Sequence, residues 1–141
     1  MKICINNAYD TLKSCLLCYP SNYRITNKSN KFYNKVDYTL AINQYNKYVN
    51  YLIENGVKPI FIDITDSSSQ VYTKDIGFVI ENILFISKMS LKQREAETEI
   101  IKKLALEEQL DYYIMQNNIE GGDVVVGDKE IFVTFAAELS T

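Results

Sequence analysis

The sequence contains no histidine and no tryptophan, and only two prolines, five glycines and three cysteines in 141 residues. Without an imidazole, every mechanism that needs a histidine as base, acid or metal ligand is closed to this chain alone. The cysteines, Cys4, Cys15 and Cys18, are odd in number and crowded near one end, a poor disulfide framework. No apolar run approaches the roughly 20 residues of a membrane span. The opening MKICINNAYDTLK is broken by Asn, Asp and Lys before a signal-peptide core could form, so the expectation is a cytoplasmic chain with no membrane partner. A basic surplus is missing as well. Fifteen Lys and Arg stand against eighteen Asp and Glu, a net charge of -3, which argues against nucleic acid as a partner.

What is present describes a soluble globular chain. Hydrophobic residues make up 47% and charged residues 23%, enough to bury a real core in one domain. SCLLCY (14–19), ended by Pro20, reads as a buried strand, and the Asn- and Lys-rich stretch 21–36 as a loop. Asp37 is placed to cap a helix in which Tyr38, Ala41, Ile42, Tyr45, Tyr48, Val49, Leu52 and Ile53 recur at three- and four-residue spacing, with Gly56 closing it. VKPIFIDI (57–64) reads as the next strand. GFVI (77–80) and ILFIS (83–87), separated by Glu81 and Asn82, predict a hairpin. A second helix is expected from about Lys92 to Leu110, with Ile100, Ile101, Leu104 and Ala105 inward and Lys102, Lys103, Glu107 and Glu108 outward. YYIM (112–115), DVVVG (123–127) and EIFVTF (130–135) follow as strands. Two strand-helix-strand units joined by hairpins predict an α/β or α+β fold, one domain over residues 1–141 with no internal linker. A sheet ending at the last strand would expose an edge and favour self-association.

Four features could carry chemistry. Cys15 and Cys18 have the spacing of a redox or zinc half-site, but a zinc site needs about four ligands and a redox pair should open a helix. Here the pair sits in a strand, where core packing is the better reading and no metal is expected. Gly121 and Gly122 lie between Glu120 and Asp123, ahead of a strand, where glycine weakens the element. Two acids would repel a phosphate; they suit a cation, and a planar guanidinium is a good candidate because a carboxylate takes two parallel N–H bonds from it. The plainer alternative has Asp123 satisfying turn amides and Glu120 on the surface. Asp75 follows the short β-like run VYTK (71–74), a usual place for a ligand group and equally for a turn cap. Arg94 falls in the first turn of the second helix, against the macrodipole, where a solvated face is the bland alternative.

Taken in order, VYTKD, FVIENILFISKM, Arg94, ETEIIKKL and IEGGDVVVGDKEIFV resemble the N-terminal half of the guanidino-group-modifying enzymes: dimethylarginine dimethylaminohydrolase, arginine deiminase and the amidinotransferases. The dimethylaminohydrolase is the nearest in spacing. The resemblance implies the pentein fold, a fan of five ββαβ modules, of which this chain holds about the first half. It also implies that Asp75 grips a substrate guanidinium and Arg94 binds the substrate α-carboxylate. Glu120 would orient a catalytic histidine, with Gly121, Gly122 and Asp123 structural at the site. In the family mechanism a cysteine thiolate attacks the guanidinium carbon, and the histidine protonates the leaving amine and then activates water. Both groups belong to the half that is absent, so this chain alone is expected to be inactive, with no cofactor.

Two positions depart from the family pattern. Ser69 stands where the dimethylaminohydrolases tend to carry a substrate-facing aspartate, and Glu138 where a substrate-binding arginine is expected. A small guanidino compound, arginine or methylarginine, is the expected ligand of the full-length protein, with a homodimer or a complementing chain as partner. The alternative is a non-catalytic guanidinium-binding or oligomeric interaction module.

Overall fold

Residues 1–134 are described in the structure, a computed structural model, and their contacts fall into two units: residues 11–73, and residues 1–10 together with the chain from Lys74 onward.

The unit of residues 11–73 is a strand-helix-strand arrangement. β1 (Ser14–Leu17) pairs in parallel with β2 (Lys58–Phe61), and α1 (Tyr38–Glu54) makes the connection. The Asp37 carboxylate accepts from the Leu40 N–H at 2.9 Å, satisfying a donor that the first turn leaves without a partner. At the other end Gly56 adopts a φ of 77°, which lets the Val57 N–H reach back to the Leu52 carbonyl at 2.9 Å. Leu17, Val49, Leu52 and Val57 form the core, with Cys15 and Tyr45 packed against it. The apolar stripe is narrower than its periodicity suggests: Tyr38, Tyr48 and Ile53 are exposed, because a sheet of two strands covers little of the helix. Cys18 is buried and Cys15 half-buried; none of the three cysteines is in a disulfide, and burial pushes the Cys15 thiol up, away from the reactive thiolate.

The second unit carries a three-stranded sheet. β3 (Gly77–Ile80) and β4 (Ile83–Ile86) form the hairpin, turning at Glu81, whose φ is 51°; β5 (Tyr112–Ile114) then pairs with β4 in parallel. α2 (Glu95–Glu107) connects them and turns Ile101 and Ala105 inward. β6 (Val124–Val126) and β7 (Ile131–Val133) make a separate antiparallel pair. Near the N-terminus Ile5 bridges to Glu81, and the Ala8 N–H donates to the Val126 carbonyl at 2.7 Å.

Three expectations change. The run 71–74 before Asp75 is a succession of turns, held partly by the Tyr72 N–H on the Ser69 carbonyl, because no neighbouring strand pairs with it. Gly121–Asp123 forms one 3-10 turn, so the glycines lead into that turn and β6 begins at Val124. The second helix opens with a 3-10 turn at Lys92–Arg94 and becomes α-helical only at Glu95. Phe135, predicted as strand, and Glu138 lie outside the described residues.

Candidate functional site

Asp75, Arg94 and Glu120, far apart in sequence, meet in the second unit. The Arg94 Nη1 lies 2.9 Å from the Asp75 Oδ2 and 3.7 Å from the Glu120 Oε2. Arg94 is buried at 6% exposure, so the solvated helix face is excluded. The structure adds a residue that sequence reasoning missed. Glu97, with 0% exposure, takes Arg94 in a fork: Nε donates to Oε1 at 3.1 Å and Oε2 at 3.2 Å, and Nη2 donates to Oε2 at 2.9 Å. The signal was in the spacing. Glu97, Ile101 and Ala105 recur every four residues, so a carboxylate continues the buried stripe of α2.

A buried guanidinium is disfavoured by desolvation, the largest influence on it here. The hydrogen bonds and charges of Glu97 and Asp75 together outweigh that effect and hold Arg94 above its ordinary value, ionised at every accessible pH.

The glycines are explained by close approach, since neither has a positive φ. A Cβ on Gly121 would stand 2.2 Å from the Lys74 carbonyl oxygen and 2.6 Å from that of Gly77, both backbone atoms that cannot yield. In that space the Gly121 N–H donates to the Asp75 carbonyl at 3.0 Å and the Ser87 hydroxyl at 3.1 Å. A Cβ on Gly122 would stand 2.6 Å from the Asp75 Oδ1, where the carboxylate now lies. Glycine at both positions therefore admits Asp75 and the Glu120 turn to the same place. Glu120 is anchored in turn: its Oε1 accepts from the Ser90 N–H at 3.0 Å. Asp123 is exposed and is tied in by its backbone, with its N–H on the Glu120 carbonyl and its own carbonyl accepting from the Thr134 N–H, both at 2.9 Å.

Among the described residues, three carboxylates lie around one guanidinium, a formal excess of two negative charges that attracts a second cation. Among the described residues no helix is long and apolar enough to cross a membrane.

The mixed α/β architecture with several small sheets is that of the pentein enzymes that modify arginine and its relatives, matched over about half their length. The profile of the N,N dimethylarginine dimethylhydrolase family, eukaryotic, matches residues 21–139, and the chain belongs to this family. It is 30% identical over 132 residues to the uncharacterised protein YkgA of Bacillus subtilis (strain 168), an alignment covering 89% of this chain and 46% of that protein. Among solved structures it is similar to a dimethylarginine dimethylaminohydrolase adduct with S-methyl-L-thiocitrulline, with a TM-score of 0.71 and 18% identity, covering 87% of this chain and 50% of that one. The Pseudomonas aeruginosa dimethylarginine dimethylaminohydrolase complexed with citrulline matches with a TM-score of 0.66 and 19% identity, over 81% of this chain and 46% of that one. The chain spans about half the length of these relatives.

Proposed function

We propose that this chain is the N-terminal part of a guanidino-group hydrolase or amidinotransferase acting on arginine or methylarginine, inactive alone. Asp75 and Glu120 supply the negative wall for a guanidinium, and Arg94 the positive group for an α-carboxylate. In this reading Glu120 also orients a histidine contributed from outside the 141 residues, as is the nucleophilic cysteine. A complementing chain, in the cytoplasm, completes the site; a second copy, which has no histidine either, can add a homodimer interface but not the catalytic groups.

The observation that carries the reading is the convergence of Asp75 and Glu120 on one guanidinium nitrogen, that of Arg94. The absence of histidine from the sequence supports inactivity, since no other side chain here matches imidazole for proton transfer near neutral pH.

Incubation of the purified chain with arginine, methylarginine or agmatine, assayed for citrulline, ammonia and ornithine, tests this. No turnover is expected; turnover that survives replacement of Cys4, Cys15 and Cys18 overturns it. Calorimetry with arginine should show weak binding that Asp75→Ala reduces ~10-fold or more. The second reading, a non-catalytic guanidinium-binding module, is separated by the genomic DNA beyond the codon for Thr141: coding sequence with a late histidine and cysteine favours the fragment.

A further inference from the structure

We propose that Glu97 is the counter-ion of Arg94, a positioning residue that fixes the guanidinium and cancels its charge, so that the charge of Asp75 and Glu120 serves an external guanidinium. The inference rests on the functional reading above and extends it to a residue outside that reading.

The cluster has a dry end and a wet end. The Glu97 side chain is 0% exposed and that of Arg94 8%, whereas Asp75 and Glu120 are 26% and 20% exposed. Glu97 engages Arg94 through its Nε and Nη2 edge, the planar fork a carboxylate matches best. Asp75 and Glu120 meet it only at Nη1, and Glu120 at a distance beyond a hydrogen bond. Lys74, the residue beside Asp75, directs its Nζ to the Val124 carbonyl at 3.2 Å.

The consequence is electrostatic. With Glu97 ionised, Arg94 is neutralised from the buried side and the two outer acids keep their attraction for an incoming cation. Were Glu97 neutral, the charge of Arg94 would fall on Asp75 and Glu120 instead, and a second guanidinium would meet it across a short distance in a poorly solvated site. Glu97 thus distinguishes a site that binds a guanidinium from one already satisfied by its own arginine.

The test is calorimetry with agmatine, a guanidinium without a carboxylate, and with L-arginine, on the wild type, Glu97→Gln, and Glu97→Gln combined with Arg94→Gln. Glu97→Gln should weaken agmatine binding ~10-fold or more, and the double variant, which removes both charges, should return it to within ~3-fold of wild type. The double variant should not recover the preference for arginine, whose carboxylate has lost its partner. A purely packing role predicts that the double variant binds agmatine no better than Glu97→Gln, and that result overturns the proposal, as does unchanged agmatine affinity in Glu97→Gln. If Glu97→Gln does not fold, a folded double variant with wild-type agmatine affinity supports the proposal, and one that fails to fold or bind overturns it. If the wild type binds neither ligand, the functional reading falls. The orientation of Arg94 is then read from its Nε–H resonance in nitrogen-15 NMR: loss of exchange protection in Glu97→Gln is expected, and unaltered protection overturns the proposal.

Discussion

Each of the two units has an apolar core, and among the described residues only the one containing the site also buries charged groups, Arg94 and Glu97. In residues 11–73 an N-cap and a C-terminal glycine act over short sequence distances on a helix whose apolar stripe packs into the Leu17, Val49, Leu52 and Val57 core. In the unit containing the site, Ile76, Leu84, Ile86, Ile101 and Ala105 are buried as well, but the site itself is assembled by polar contacts between segments: Asp75 with Arg94, Glu120 with Ser90, and Gly121 with Ser87. The first kind of order tolerates conservative change. The second depends on individual atoms, since a buried charge that loses its partner is left without the water that once solvated it.

Substitutions can break or sharpen this contrast. Gly121→Ala should be the most damaging, destabilising by ~3 kcal/mol or more because its Cβ meets backbone oxygens that cannot move aside; denaturant unfolding with no change in midpoint would remove the close-approach argument. Leu52→Ala should cost ~2–4 kcal/mol through lost burial and a cavity in the other unit. If Leu52→Ala proves as damaging as Gly121→Ala, the contrast narrows to one of degree. Asp37→Ala removes only the helix cap and should cost ~1 kcal/mol, read from the same denaturation curves.

The smallest effect concerns pH. Burial pushes the Tyr45 phenol up to about 12, so the folded state favours its neutral form. The associated stability is fully present below the ordinary tyrosine range near 10 and is lost as pH rises through about 12. Ultraviolet titration should find one tyrosine ionising last among the eleven, and this late step should disappear in Tyr45→Phe.

Arginine-modifying ancestry was legible in the order of motifs from Val71 to Val133, and the element types of both helices and most strands followed from periodicity, capping and turn residues. The site was legible only in part. Asp75, Arg94 and Glu120 stood out as separate residues, while Glu97 was hidden among the surface acids of an amphipathic helix.

Local chemistry explains the division. The sequence by itself determined where the first helix starts and stops, that both helices carry an apolar face, and that no imidazole is present, because each follows from neighbouring residues or simple composition. Only the tertiary structure decided that Glu97 is buried, that Arg94 is its partner, and that the paired glycines exist to admit the Asp75 carboxylate and two backbone carbonyls. Those facts depend on how closely distant segments approach, and a difference of one methyl group determines whether the approach occurs.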